Sequence, residues 1–333
     1  MAIPSFLEGR LALPVIGAPL FIVSGPELVA AQCKAGIVGS FPALNARPKE
    51  LLEQWIIEIK GELASYQQAH PEAPVAPFAV NQIVHSSNDR LEHDVEICVK
   101  HEVPIVITSL RAPAAVVKAI HSYGGIVLHD VINMRHAMKA LEEGVDGLIL
   151  VAAGAGGHAG TLSPFALLSE VRRQFAGPVA ISGAIANGAG VLAAQAMGAD
   201  FAYIGTRFIA TQEANASQEY KQMLVDAAAS DIVYSSLFTG VHGNYLGPSI
   251  LASGLDPRNL PEGDKTKMSF GSGGSSKNKV WRYIWGAGQG VGSIRDVPSV
   301  ADCVARLRRE YVAAHADLMR RSFAPVPATP AAE

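Results

Sequence analysis

Eight short, almost wholly apolar runs, each followed by a stretch of helical periodicity, constrain this 333-residue chain more than any other feature. They lie at 14–19 (PVIGAP), 36–41 (GIVGSF), 78–83 (FAVNQI), 104–110 (PIVITSL), 125–131 (GIVLHDV), 147–153 (GLILVAA), 178–185 (PVAISGAI) and 201–208 (FAYIGTRF). Runs without polar alternation are strands buried on both faces, as in a parallel sheet covered by helices. Between them, Leu51, Leu52, Trp55, Ile56, Ile59 and Leu63 form one apolar helical stripe, and Leu91, Val95, Cys98 and Val99 another. Ser24 with Glu27 reads as a capping box, Ser163 with Pro164 as an N-cap and first-turn pair, and Gly144 and Gly198 as helix stops. Eight strand–helix repeats predict an α/β fold, a (β/α)8 TIM barrel. A doubly wound open sheet would need a GxGxxG loop after the first strand. Gly17, Ala18, Pro19 and Leu20 stand there instead, and Pro19 has no amide to donate.

After the eighth run the pattern changes. The expected division is a barrel over 1–211 plus 285–322, a mainly helical insertion over 212–284 that covers the active site, and a disordered Pro/Ala-rich tail over 323–333. Within the insertion, 263–279 (GDKTKMSFGSGGSSKNK) is expected to be a mobile lid. Apolar residues make up 49% and charged residues 17%, enough to bury a large core, and the net charge of −3 offers nothing to nucleic acid. No apolar run approaches the roughly 20 residues that cross a bilayer. The start, MAIPSFLEGR, is not a signal peptide, and three widely spaced cysteines fit a reduced, cytoplasmic protein. The chain is compatible with a homodimer and does not decide between monomer and dimer.

A barrel places its chemistry at the C-terminal ends of its strands. Past the sixth strand stands Gly154-Ala155-Gly156-Gly157-His158-Ala159-Gly160. Glycines let backbone approach a flat ligand, and they leave the His158 imidazole exposed for proton transfer or anion stabilisation. The loops after strands seven and eight are the usual phosphate site of such barrels. Backbone amides at Gly183, Ala184, Gly205 and Thr206, with the Thr206 hydroxyl, could cradle a phosphate dianion. By strand alternation Arg207 points away from Thr206, toward a structural carboxylate. Asn81 could bond the edge of a heterocycle or hold a neighbouring loop. His129 and Asp130 end strand five, one facing inward and one toward the helices. No metal-ligand spacing, nucleophile elbow or P-loop is present.

These residues resemble the nitronate monooxygenases, also called 2-nitropropane dioxygenases, over about residues 10 to 320. The match is carried by GAGGHAG (154–160), ISGAIANG (181–188), IGTRF (204–208) and the closing WGAGQGVG (285–292). The resemblance implies an FMN-dependent barrel that oxidises alkyl nitronates, and nitroalkanes after deprotonation, with O2 to carbonyl compounds and nitrite. It implies that Gly17, Ala18, Pro19, Leu20 and Asn81 line the flavin ring, that Gly157 supports it, and that His158 is catalytic. Ser182, Gly183, Ala184, Gly205 and Thr206 would hold the phosphate, and Gln289 would reach back toward the pocket. No metal is required. Relatives with NADH:quinone reductase activity carry Lys where Asp130 stands, and an ionised Asp there would oppose negative charge on a reduced flavin. The same scaffold also serves flavin-dependent enoyl-acyl-carrier-protein reductases, so an NAD(P)H-dependent reductase is the alternative. A flavin-binding barrel without turnover is a third.

Overall fold

The computed structural model describes residues 4–111, 113–263 and 283–321. Eight parallel strands form one sheet: β1 (Val15–Gly17), β2 (Gly39–Pro42), β3 (Phe78–Val84), β4 (Ile105–Leu110), β5 (Ile126–Val131), β6 (Gly147–Val151), β8 (Val179–Ser182) and β9 (Phe201–Ile204). Their order is β1-β9-β8-β6-β5-β4-β3-β2. The seam between β1 and β2 closes where Ile16 faces Val38, with Gly17 N donating to Val38 O at 2.8 Å and Val38 N to Val15 O at 3.1 Å. The sheet is therefore a closed barrel. The strand β7 (Gly157–His158) lies outside it.

Alternate side chains of each strand enter two separate cores, which is why the runs read as continuously apolar. Ile16, Val38, Ala79, Ile105, Ile107, Leu128, Ile149, Ala180, Phe201 and Tyr203 fill the barrel. Val80, Val106, Val127, Leu148, Leu150 and Ile181 face outward. They pack with Leu28 of α1 (Pro26–Lys34), Ile56 of α2 (Leu51–Ala69), Cys98 of α3 (Leu91–Lys100) and Ile120 of α4 (Ala114–His121). Ala137 of α5 (Met134–Glu142), Leu168 of α6 (Pro164–Arg172) and Val191 of α7 (Gly188–Ala196) complete the ring.

Two local expectations fail for identifiable reasons. The Ser24 capping box does not form: Gly25 is the N-cap, and the Ser24 hydroxyl accepts from Leu20 N at 3.0 Å, which shapes the loop after β1. The eighth strand also stops early, at Ile204, and residues Thr206–Ile209 form a short helix, α8. Alternation therefore does not govern Thr206 and Arg207. Arg207 is nonetheless buried away from the barrel mouth, bonded to Ala210 O and Asp296 O with the Asp296 carboxylate 3.7 Å away.

Beyond α8 come α9 (Gln218–Asp226), strands β10 (Ile232–Ser235) and β11 (Gly243–Leu246), and α10 (Gly247–Ala252). Helix and loop were expected here, and the hairpin is new. It forms a three-stranded antiparallel sheet in the order β10-β11-β7, so it pairs with the loop that bears His158. The expected lid, apart from Gly263, and the tail lie outside the described residues. Among the described residues no helix is long and apolar enough to cross a membrane.

The last helix, α11 (Val300–Arg320), packs on α7. A Cβ on Gly188 would lie 2.1 Å from Leu307 O and 2.3 Å from Tyr311 N, both backbone atoms that cannot yield locally. Glu310 Oε2 also accepts from Gly188 N at 2.8 Å. Gly188→Ala is expected to force the two helices apart and destabilise the fold by about 2 kcal/mol or more. Urea denaturation of wild type and variant checks this; an unchanged midpoint would contradict the packing described.

Candidate active site

Three polar side chains stand on adjacent strands at the C-terminal mouth of the barrel. Asn81 on β3 donates through Nδ2 to Ser109 Oγ at 2.8 Å and to Ile107 O at 3.2 Å. Ser109 on β4 donates in turn to Asp130 Oδ2 on β5 at 2.6 Å. Asn81 is 4% exposed and braces β4 with its amide hydrogens, one of the two roles expected for it. The Asp130 Oδ1 atom is buried and takes no hydrogen bond among the described residues. Burial pushes the Asp130 carboxyl up to about 6, against the opposing pull of the Ser109 hydrogen bond. Its neighbour on the strand, His129, points outward, is 3% exposed and meets Thr108 Oγ1 at 2.8 Å through Nδ1. Burial lowers His129 to about 4.

β11 draws the loop that bears His158 out as a strand. Gly243 pairs with His158 and Asn244 with Gly157. The fit is close: a Cβ on Gly243 would lie 2.8 Å from Gly157 O. Asn244 Nδ2 donates to Ala155 O at 2.6 Å and so ties the glycine loop a second time. Gly157 has φ +67, and a Cβ there would meet nothing within 4 Å. The imidazole Nε2 of His158 is 2.8 Å from Thr239 Oγ1, in the turn between β10 and β11. Burial alone lowers His158 to about 4, so it is a neutral imidazole at physiological pH.

The loops after β6, β8 and β9 meet through the closing segment. Gly154 O accepts from Gln289 N at 2.9 Å and from Ala184 N at 3.3 Å. Thr206 Oγ1 accepts from Gly288 N at 2.9 Å, which leaves the hydroxyl proton to donate. The Gln289 side chain lies over Gly154, as a Cβ there would be 3.0 Å from Gln289 Oε1. One expected role changes. The Ala184 amide is engaged by Gly154 O and is not an open donor. Gly17 also serves the fold, because a Cβ would strike the Gln32 side chain at 2.4 Å; Gly17 O accepts from Ser40 Oγ at 2.5 Å. Ala18, Pro19 and Leu20 form the loop after β1 beside Gly205, with Leu20 Cδ2 3.2 Å from a Cβ placed on Gly205. Ser182 is 8% exposed at the end of β8, opposite Val151 of β6. Amides at Gly183, Gly205 and Thr206 donate to no backbone carbonyl among the described residues.

Sequence reasoning missed Ser109, Asn244 and Thr239. Ser109 was within reach of it, since Ser109 shares the inward parity of Asn81 and Asp130 at a strand end. Thr239 is 81 residues from His158, and no local pattern marks it.

The fold is a (β/α)8 barrel with polar side chains and glycine loops gathered at the C-terminal ends of its strands, where enzymes of this fold carry their reaction centres. The sequence model of the nitronate monooxygenase family matches residues 7–310. A nitronate monooxygenase of Paraburkholderia phytofirmans is 27% identical, covering 89% of this chain and 92% of its own. A Rhodococcus jostii (3aS,4S,5R,7aS)-5-hydroxy-7a-methyl-1-oxo-octahydro-1H-indene-4-carboxyl-CoA dehydrogenase is 25% identical over 72% of this chain and 64% of its own. In structure, the nitroalkane oxidase of Streptomyces ansochromogenes superposes with a TM-score of 0.76 at 22% identity, covering 94% of this chain and all of that one. The chain belongs to the nitronate monooxygenase family, a flavin-dependent family, and is an oxidoreductase.

The Asp130 carboxyl yields a pH-dependent expectation. Its folded value, about 6, lies above the ordinary one, so the folded state holds this proton more firmly than the unfolded chain does. The stabilising contribution is complete below about pH 4 and is lost as pH rises through 6. Asp130→Asn removes the buried charge. It is expected to stabilise the flavin-free protein at pH 8 by on the order of 2 kcal/mol, and to bring no gain at pH 4. Tm against pH for both proteins measures this, and a gain of equal size at pH 4 would contradict it.

Proposed function

We propose that the chain binds FMN across the barrel mouth and oxidises alkyl nitronates with dioxygen to carbonyl compounds and nitrite. The donor set suits one phosphate dianion. Gly183, Gly205 and Thr206 offer backbone amides, the Thr206 hydroxyl keeps its proton, and Ser182 lies alongside. The loop after β1, with Pro19, offers no fingerprint for a pyrophosphate, which favours FMN over FAD. Asn81 Oδ1 supplies the acceptor that a flavin imide N–H requires, and the open side of Gly157 leaves room for a flat ring. When bound, FMN supplies the electron acceptor for the nitronate and the electron donor for dioxygen.

The observation that carries the substrate reading is the His158 imidazole, set in the glycine loop by β11 and met at Nε2 by Thr239, where burial lowers it to about 4. An anion entering the same dry pocket raises the proton affinity of the imidazole. His158 therefore takes up a proton as the nitronate arrives, and the imidazolium holds the anion against water. Binding of a nitronate carries a proton, whereas a neutral nitroalkane brings its own. Cys33, Cys98 and Cys303 are buried free thiols, and burial pushes Cys33 and Cys98 up to about 12, which fits a protein of the reducing cytoplasm.

Three measurements test this reading. The cofactor released on denaturation should be FMN by mass spectrometry, and Gly205→Asp, which turns a carboxylate toward the phosphate, should purify without it. Anaerobic ethylnitronate should bleach the flavin quickly while NADH does not; fast bleaching by NADH would replace this reading with an NAD(P)H-dependent reductase. Because free His158 titrates near 4, kcat/KM for ethylnitronate should fall about tenfold per unit from pH 7 to 9. In His158→Asn it should be lower at pH 7 by about 10² or more and show no slope. A flat wild-type profile would remove proton uptake from the mechanism.

A further inference from the structure

We infer that Thr239 is a positioning residue that holds His158 as its Nε2–H tautomer, making Nδ1 the nitrogen that gains the proton paired with the substrate. This deepens the reading of His158 given above and rests on it for its catalytic consequence. The argument is a count of hydrogens. Thr239 Oγ1 lies 2.9 Å from Val241 O and 2.8 Å from His158 Nε2. A carbonyl oxygen has no hydrogen, so the hydroxyl proton of Thr239 is the one that serves the Val241 contact. The same oxygen accepts from Val241 N at 3.3 Å, which closes a tight turn around it. With its single proton committed to Val241 O, Thr239 can meet the imidazole only as an acceptor, so Nε2 carries the hydrogen.

A neutral imidazole has one N–H and one lone pair, and the bond made by one nitrogen decides the state of the other. Nδ1 thus keeps the lone pair in the free protein. On protonation the ring becomes a donor at both nitrogens, with Nε2–H still held by Thr239. The group that meets Nε2 is a neutral hydroxyl on the insertion. The turn between β10 and β11 therefore reaches into the chemistry, although its residues lie far from the glycine loop in sequence.

The test is ¹⁵N NMR of histidine-labelled full-length protein, with the His158 signals assigned by their loss in His158→Asn, alongside ethylnitronate kinetics. Wild type should show an unprotonated, pyridine-like Nδ1 and a protonated Nε2. In Thr239→Val, which keeps the shape and deletes the hydroxyl, the His158 tautomers should mix. There kcat should fall by about 10-fold to 10²-fold with KM changed much less. Thr239→Ser should restore both signals and turnover. A protonated Nδ1 in neutral wild type would overturn the inference, and so would Thr239→Val signals unchanged from wild type. Should Thr239→Val fail to fold, the wild-type and Thr239→Ser spectra still decide. A protein that shows the expected tautomer and its loss in Thr239→Val, yet turns over no nitronate, would sink the functional reading and leave the positioning role standing.

Discussion

The site depends on the pairing of β11 with the glycine loop after β6. A run of six small residues, 152–157, has almost no side chain with which to fix itself, and its backbone polar groups would otherwise be left to water. β11 supplies the missing order. It takes Gly157 and His158 as a strand on one edge and β10 on the other, and its Tyr245 bridges Gly286 of the closing segment. Asn244 adds a side-chain bond to the same loop, and Ala287 N donates back to Asn244 O. The closing segment is itself anchored, because Trp285 stacks on Tyr220 with ring centroids 4.8 Å apart and the Tyr220 hydroxyl donates to Gly286 O. Backbone pairing does here what side-chain packing cannot.

Burial then acts on the two titratable groups of the mouth with one cause and opposite consequences. It disfavours charge on both, lowering His158 to about 4 and raising Asp130 to about 6. Near pH 7 His158 is therefore neutral, whereas Asp130 is mostly ionised and regains its proton only as pH falls through about 6. This also changes the meaning of Asp130 relative to relatives with Lys at that position. A carboxyl that holds its proton up to about pH 6 opposes a negatively charged ring less than a fully ionised one would, and its protonated form is a donor. Ser109 and Asn81 hold that carboxyl in place through a chain that crosses three strands.

Much of this was legible in the residues. Eight apolar runs announced eight strands, because a strand covered on both faces has no room for polar alternation. The glycine-rich turns after β6, β8 and β9 marked the mouth, since backbone must come close to a ligand there. The errors were local competitions between similar options. Ser24 could cap α1 or accept from Leu20 N, and the loop after β1 took it. Residues 205–208 could extend the last strand or coil, and the coil leaves the Gly205 and Thr206 amides without a backbone partner among the described residues.

The sequence by itself determined the barrel, and it marked His158, in the glycine loop past β6, as the side chain on which the proposed function rests. Periodicity and turn residues are read within a few positions of one another, so these features need no knowledge of distant chain. Tertiary structure alone decided that the β10–β11 hairpin exists as a partner for β7, that Ser109 links Asn81 to Asp130, and that Thr239 meets His158. Each of these is a contact between segments far apart in sequence. Its free energy comes from groups that only the closed fold brings together and dries, and no local pattern of residue types encodes it.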